Sequence, residues 1–384
     1  MDTYDGGNNE TLFLFTSSDE IRYVLYLGAV YAGVKVTTQL FRDPSAWYHI
    51  IVVLDTTNAT AANRMLIYVN GVQVTAFSSS TDPAQNTNGW INNTSQHRIG
   101  NDYSSTLPFD GELAEVNFVD GQALAPTAFG AYSTYNQWLP IRYAGTYGTN
   151  GFYLPFTNTT STSTLVADSS GNANNWTPNN ISLTAGSTYD SLTDVPTLTS
   201  ATVANYAVLN PLDNTNTGTR TIQSGNLNVS TSGSGGARAT FQFPTTGKFY
   251  FECTYVSGTW GGNKGFGIGT NIADISGTVI PTACVTYNVN GNKTSGGAYT
   301  AYGLSYTTTD TVGIAVDQDG GTVTFYKNNA SQGAITHGLS TSNLFPLYVD
   351  PSSSGSVQAF NFGQQPFVYP TLPTGFLPLN TFNI

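Results

Sequence analysis

Hydrophobic positions along the chain recur in short runs of β-branched and aromatic residues, with turn residues between them at short intervals. Helical spacing is almost absent, and this pattern predicts a chain of many short strands. The clearest strands are 47–54, 65–69 and 72–74, the last two joined through Asn70-Gly71. That dipeptide suits a type I′ turn, which needs φ > 0 at both central residues. Residues 111–120 predict a strand with Ala114, Val116 and Phe118 on one face, ending at Asp120-Gly121. Residues 126–130 predict one helical turn, and 152–156 a further strand.

After residue 156 the character changes. Residues 157–164 are almost purely Thr, Ser and Asn, and 168–180 are rich in Asn, Ser and Gly, with Trp176 and Leu183 pointing to some packing. A second dense region follows, with strands predicted at 249–256, 265–269, 311–316, 322–327, 345–350 and 356–362 and a turn at Asp319-Gly320-Gly321. No repeat of fixed period is visible, which disfavours solenoids and propellers. The expected fold is all-β: two antiparallel β-sandwich (jelly-roll) domains, 1–156 and 201–384, joined by an Asn/Thr-rich connector at 157–200.

Composition narrows the function. Only 9% of the 384 residues are charged and 13% are aromatic, so neutral Asn, Thr, Ser and Gly must cover the surface. The net charge is −11, with 12 Lys+Arg and no basic run, so neutralising nucleic-acid phosphates is not expected. No apolar stretch approaches the ~20 residues of a membrane helix, and the start, Met1-Asp2-Thr3-Tyr4-Asp5, reads as no secretory signal. Two Cys do not make a disulfide framework. The expectation is a soluble, acidic, mostly β protein without membrane insertion.

Both halves carry recognisable motifs. Trp47-Tyr48-His49, Ile67-Tyr68-Val69-Asn70-Gly71, His97-Arg98-Ile99-Gly100 and Phe109-Asp110-Gly111-Glu112-Leu113-Ala114-Glu115-Val116 resemble the laminin-G/concanavalin-A-like lectin family, which implies a jelly-roll sandwich. Asp168-Ser169-Ser170-Gly171-Asn172-Ala173-Asn174-Asn175-Trp176 is similar to the opening segment of such domains, yet here it follows the rest. That implies either a rearranged strand order or the start of a second copy. In the second half, Gly247-Lys248-Phe249-Tyr250-Phe251-Glu252, Gly265-Phe266-Gly267-Ile268-Gly269, Asp310-Thr311-Val312-Gly313-Ile314-Ala315-Val316-Asp317, Val323-Thr324-Phe325-Tyr326-Lys327-Asn328-Asn329, Leu344-Phe345-Pro346 and Asn361-Phe362-Gly363-Gln364-Gln365-Pro366-Phe367 resemble a SPRY domain, a recognition sandwich. Together, with the connector and Asn210-Pro211-Leu212, the halves resemble virion-associated proteins of tailed phages of marine bacteria. Relatives of that kind carry strands before the position where Met1 falls, which implies a shortened form or an open sheet covered by another subunit or by the segment near 152–156.

Several constellations bear on chemistry. The carboxylates of Asp110, Glu112 and Glu115 are the most enzyme-like, because a retaining glycanase needs two carboxyl groups ~5–5.5 Å apart. On a regular strand, however, Asp110 and Glu112 share one face and Glu115 takes the other. The order also departs from the Glu, Asp, Glu of catalytic relatives, so solvated or capping carboxylates are the simpler reading. The laminin-G resemblance implies a rim loop able to take calcium, with Asn101, Asp102 and Asp110 as candidates and Asp317 with Asp319 as a weaker pair; hairpin turns use the same residues. His49, His97 and His337 lie far apart and form no metal-ligand spacing. Cys253 shares a face with Phe249, Phe251 and Tyr255 and reads as a small core hydrophobe; whether it pairs with Cys284 stays open. The glycines at 265, 267 and 269 read as a strand, since no helix follows to make a phosphate site.

Aromatics in Gly/Asn-rich stretches are the best functional clue: Trp90, Tyr103, Trp260, Tyr299 and Tyr302. Flat rings flanked by amides suit sugar faces or protein partners, although β proteins also use Tyr and Trp to cap cores. The SPRY resemblance implies a ligand surface on loops at one end, favouring Trp260 and the Tyr287 to Tyr302 stretch. The expected protein is a non-catalytic surface component of a virion, a fibre or capsid appendage on the particle exterior. Its expected partners are host-surface glycan or receptor, other virion proteins and further copies of itself, with no cofactor unless calcium. A cement protein without host ligand and a polysaccharide hydrolase are the alternatives.

Overall fold

The computed structural model describes residues 1–43, 46–196, 200–213, 220–258, 262–277, 280–352 and 355–384. The chain is nearly all-β, with antiparallel sheets throughout apart from a short parallel pairing of Leu377–Pro378 with Lys248–Gly258. It divides into two compact units, Met1–Asn158 with Ser163–Thr177, and Thr159–Thr162 with Pro178–Ile384.

In the first unit, a six-stranded sheet runs in the order Phe77–Thr81, Val30–Leu40, Glu20–Leu27, Glu10–Phe15, Asp2–Tyr4 and His97–Arg98. Alternation sends Ile21, Tyr23 and Leu25 to one face. There they pack against Met65, Ile67 and Val69 of a three-stranded sheet, Ile50–Leu54, Met65–Val69 and Val72–Gln73. Asn70 and Gly71 join the last two strands with φ of 49° and 79°, the geometry of the expected I′ turn.

The strand expected at 111–120 is only Val116–Phe118, paired with Phe152–Leu154. Glu115 breaks it: its φ of 55° lies in the left-handed region and cannot continue a pleated strand. The expected helical turn is the 3-10 turn Pro126–Ala128.

The Asn-rich segment 168–176 belongs with this first unit. The Asp168 carboxylate accepts the backbone N–H groups of Tyr153 (2.9 Å), Ser170 (2.8 Å) and Asn174 (2.9 Å). The Asn172 and Asn174 amides donate to the Gly151 carbonyl, both at 2.9 Å. The Trp176 ring lies edge-on to Phe152 at 5.0 Å, and Phe152 stacks on Phe118 at 5.6 Å. The segment thus packs on the strand Phe152–Leu154 that precedes it and forms no strand of its own.

The second unit is a two-sheet sandwich. One sheet orders Arg220–Gln223, Asn228–Thr231, Ser356–Asn361, Lys248–Gly258, Thr311–Asp317, Thr322–Lys327 and Ala330–Thr336. The other orders Gly235–Arg238, Leu344–Asp350, Gly265–Thr270, Cys284–Asn288, Asn292–Ser295 and Ala298–Ala301. Phe249, Phe251, Cys253 and Tyr255 alternate inward with Val312, Ile314, Val316 and Phe325, and meet Phe266, Ile268, Val285, Tyr287 and Tyr348 in one core. Each fully buried large apolar side chain contributes about 1.5–3 kcal/mol.

The glycines at 265, 267 and 269 are a strand, as expected, and they serve sheet packing. A Cβ at Gly267 would stand 2.0 Å from the Val285 carbonyl oxygen, and one at Gly265 2.1 Å from Asn288 Oδ1. Cys253 and Cys284 are buried free thiols. They sit in separate packing clusters, Cys253 in the main core and Cys284 with Ala273, Ile275, Leu347 and Val349. On the outer face of the first of these sheets, Glu252 accepts the N–H groups of Val368 (2.7 Å) and Tyr369 (3.0 Å), fixing the C-terminal segment across it.

Candidate ligand-binding surfaces

The aromatic candidates separate into surface and packing positions. Trp90 is half-buried; its indole N–H donates to Ser95 Oγ at 3.2 Å and its backbone N–H to Thr11 Oγ1 at 2.9 Å, which ties it to the sheet. Tyr103 is exposed and lies on Tyr4 with ring centres 3.9 Å apart. Its N–H donates to the buried Asp2 carboxylate at 2.6 Å. Tyr287 is fully buried in the core of the second unit and its hydroxyl donates to the Leu304 carbonyl, so its ring offers no surface to a ligand. Tyr302 is half-buried, edge-on to Tyr287 at 5.4 Å, with its hydroxyl on the Gly333 carbonyl and the Lys293 ammonium over its ring. Burial pushes its phenol up to about 12. Tyr299 sits half-buried on the strand Ala298–Ala301 opposite Thr294. Trp260 lies outside the described residues.

One end of the second sandwich does gather several of these elements. Asn290 Nδ2 donates to Asn263 Oδ1 at 2.8 Å, joining the turn after Cys284–Asn288 to the segment that leads into Gly265–Thr270. The Tyr302 N–H reaches the Gly291 carbonyl at 3.1 Å. Beneath them lies a buried ion pair that sequence reading missed, Lys264 with Asp350, Nζ to Oδ2 3.2 Å. Tyr302 therefore borders this end, whereas Tyr299 is displaced along its hairpin and has a phenol raised by burial and by the Cys284 thiol.

The acidic candidates are engaged locally. Asp102 Oδ1 accepts the N–H groups of Thr106 (2.7 Å) and Leu107 (2.8 Å), and Oδ2 accepts that of Ser104 (3.2 Å) and its hydroxyl. Burial alone would raise its pKa; the hydrogen bonds from Ser104, Leu107 and Thr106 outweigh it and hold the carboxyl at about 2. Asp110 is exposed. Asp317 accepts the Lys248 ammonium at 2.8 Å, which with the surrounding N–H groups lowers its pKa, and Asp319 accepts the Gly247 N–H at 3.0 Å. Among the described residues no group of three or more His, Cys, Asp or Glu is arranged to hold a metal ion.

The histidines are likewise structural in placement. The Trp138 indole N–H donates to His49 Nδ1 at 2.7 Å. His97 accepts the Asn92 N–H at Nε2, 3.0 Å, and meets the Ser95 carbonyl through Nδ1, 2.7 Å. His337 accepts the Leu339 N–H at Nδ1, 3.1 Å.

The end of the Asp110 to Glu115 motif leads to a constellation that sequence reading did not single out. Asn117 and Tyr153 face one another across the pairing of Val116–Phe118 with Phe152–Leu154. The Tyr147 hydroxyl donates to Asn117 Oδ1 at 2.8 Å, and its ring stacks on that of Tyr153 at 6.4 Å. The Tyr153 hydroxyl donates to Glu115 Oε2 at 2.5 Å; burial first, then this carboxylate, raise the Tyr153 phenol. The exposed Arg142 places its guanidinium carbon 5.4 Å from the Tyr153 ring centre. The signal was present as one arginine followed by tyrosines at 143, 147 and 153, but these residues converge only through the long return from Val116–Phe118 to Phe152–Leu154.

Comparison with known proteins agrees with this architecture. Residues 1–128 match the family model of the concanavalin A-like lectin/glucanases superfamily, and residues 248–365 match that of the SPRY domain. The chain is similar to Ran-binding protein 9 of Xenopus tropicalis, 31% identical over 160 residues, covering 38% of this chain and 29% of that protein. It is similar to Ran-binding protein 10 of Danio rerio, 33% identical over 140 residues, covering 34% of this chain and 22% of that protein. The chain thus spans less than a third of the length of these curated relatives. Among solved structures, the SPRY domain of human HERC1 is 17% identical with a TM-score of 0.33, covering 37% of this chain and 91% of that one. The stonustoxin structure is 16% identical with a TM-score of 0.32, covering 40% and 27%.

Proposed function

With one lectin-like and one SPRY match in the same chain as the premise, we propose that this protein is a non-catalytic adhesion component of a virion surface, a fibre or capsid appendage that engages a host-surface glycan or receptor. The observation that carries the reading is the pairing itself: two recognition-type domains on two sandwiches, one of them the SPRY type associated with protein partners. Adhesion of this kind works through many weak sites, since copies on one particle raise avidity without any new contact. The SPRY unit would dock on a protein, a neighbouring virion subunit or a receptor, and the lectin-like unit would meet sugar. Copies of the chain would assemble with one another on the particle exterior.

The placement of the acidic motif favours binding over hydrolysis. Glu115 is held by Tyr153 outside a strand, away from the same-strand arrangement of the carboxylates that a catalytic strand would carry. Gold-labelled antibody electron microscopy on particles from the source lysate tests the reading. Label at a tail tip or fibre end supports adhesion; label spread over the capsid replaces it with decoration; protein free of particles overturns the virion assignment. Hydrolysis of any polysaccharide by the protein, lost in Glu112→Gln or Glu115→Gln, would overturn the non-catalytic reading.

A further inference from the structure

We infer that Arg142, Glu115 and the tyrosine pair Tyr147–Tyr153 form a binding site for a carboxylate-bearing saccharide, a uronic-acid type of sugar. The inference rests on the adhesion reading above and names the ligand class of the lectin-like unit.

Three features of the constellation point to a ligand. Arg142 is exposed and makes no hydrogen bond or ion pair with any described residue, so its N–H fork is uncommitted while its guanidinium carbon lies 5.4 Å from the Tyr153 ring centre. A guanidinium attracted to a ring face keeps its N–H donors available, and those donors suit a bidentate carboxylate. Glu115 is exposed and engages Tyr153 through Oε2 alone; its Oε1 takes no hydrogen bond from a described residue. Glu115 also adopts φ of 55°, a conformation that costs a non-glycine residue about 1 kcal/mol or more. The Asn117 amide, which donates to the Glu115 carbonyl at 2.8 Å while its oxygen accepts from Tyr147, holds that geometry in place. The network therefore ties one carboxylate acceptor and one uncommitted guanidinium fork to the same tyrosine.

Ligand chemistry follows from the pair. The fork takes a planar anion, and Glu115 Oε1 takes hydroxyl donors. Glu115, held on the same tyrosine as the fork, opposes a densely anionic ligand such as a phosphate cluster or an acidic peptide run, because like charges repel. A sugar ring carrying one carboxylate and adjacent hydroxyls satisfies both groups at once. None of Arg142, Tyr147 or Tyr153 belongs to the loop of Asn101, Asp102 and Asp110.

The test uses the full chain and trigalacturonic acid as probe, with its methyl ester as the uncharged control, followed by isothermal titration and by 15N-amide shifts. The expected result is binding of the acid and not the ester, with a loss of at least about tenfold in Arg142→Met, the size expected for removing a charge-assisted hydrogen-bonded pair. Arg142→Lys, which keeps charge without the fork, should lose part of the affinity, and Glu115→Gln should weaken binding while leaving the far-UV spectrum unchanged. Equal binding of acid and ester, equal binding by wild type and Arg142→Met, or no binding of the acid each overturns the inference. Particle labelling decides the adhesion reading independently: label at a fibre end together with Arg142-insensitive binding of neutral sugars would leave adhesion standing and this site refuted.

Discussion

Lys264 and Asp350 meet inside the second unit with Nζ 3.2 Å from Oδ2 and neither side chain exposed to solvent. Lys264 also donates to Ser356 Oγ at 3.0 Å. Asp350 accepts the hydroxyls of Thr231 (2.9 Å), Ser356 (3.1 Å) and Tyr348 (3.2 Å) on Oδ2, and the N–H and hydroxyl of Ser352 on Oδ1 (2.9 and 2.6 Å). The pair sits where Gly265–Thr270 begins, where Leu344–Asp350 ends and where Ser356–Asn361 begins, so it pins the strand ends that frame the loop end of the sandwich. Removing one partner strands a buried charge. Lys264→Met is expected to destabilise the second unit by about 3–5 kcal/mol. Asp350→Asn should be similarly harmful, and the double variant less harmful than the two single losses added together. A double-mutant cycle by urea unfolding checks this; additive losses would show that the charges do not stabilise each other.

How far the fold was legible depends on whether each strand showed a clean alternation or a short apolar run bounded by turn residues. Lys248–Gly258, Thr311–Asp317 and Thr322–Lys327 appeared within a residue or two of their bounds because apolar residues alternate or run between clear turn residues. The first four strands, from Asp2–Tyr4 to Val30–Leu40, were not singled out. Glu10–Phe15 and Glu20–Leu27 carry buried or half-buried apolar residues on both faces, Leu12 and Leu14 opposite Phe13 and Phe15 in the first, which erases the period-2 signal. The strand expected at 111–120 was too long because composition cannot announce a left-handed glutamate. The binding constellation was hidden for a related reason. Arg142 and Glu115 are 27 positions apart by number, and only the closing strand Phe152–Leu154 brings Tyr153 between them.

The two thiols should behave as interior groups. Burial pushes the Cys284 thiol up to about 12 and raises that of Cys253 well above its ordinary range, so the reactive thiolate is scarce near neutral pH. In native protein at pH 8, a chromogenic disulfide reagent should titrate neither thiol on the time scale in which it titrates both in denaturant. Intact mass should not change on reduction. A native mass lighter than the reduced chain by two hydrogen atoms would reveal a Cys253–Cys284 bridge and contradict the separate packing clusters.

His337 predicts a pH effect with a definite sign. Burial lowers its pKa below the ordinary 6.5, and Nδ1 accepts the Leu339 N–H, which requires an unprotonated nitrogen. The folded state therefore favours neutral imidazole, and its contribution is complete above pH 6.5. It is lost as pH falls from there through the depressed folded value, because the unfolded chain binds the proton first. His337→Asn keeps a side-chain acceptor and removes the titration. Urea midpoints of the second unit measured from pH 7.5 to pH 5 should fall less steeply in the variant than in the wild type; parallel curves would refute the assignment.

Gly71 couples a turn to a histidine in the first unit. Its φ of 79° is favourable only for glycine, and a Cβ there would stand 2.4 Å from the Trp138 ring. Trp138 in turn donates its indole N–H to His49 at 2.7 Å and stacks on that ring at 6.0 Å, and burial lowers the His49 pKa. Gly71→Ala must therefore either twist the I′ turn or push Trp138 away, at about 1–3 kcal/mol for the overlap. If the tryptophan moves, the cover over His49 opens and its pKa climbs back toward 6.5. With three histidines in the chain, NMR titration of their ring protons resolves His49. The expected outcome is an upward shift of His49 alone, with His337 unchanged. A destabilised variant whose His49 titrates as in the wild type would place the strain in the turn and separate it from the tryptophan.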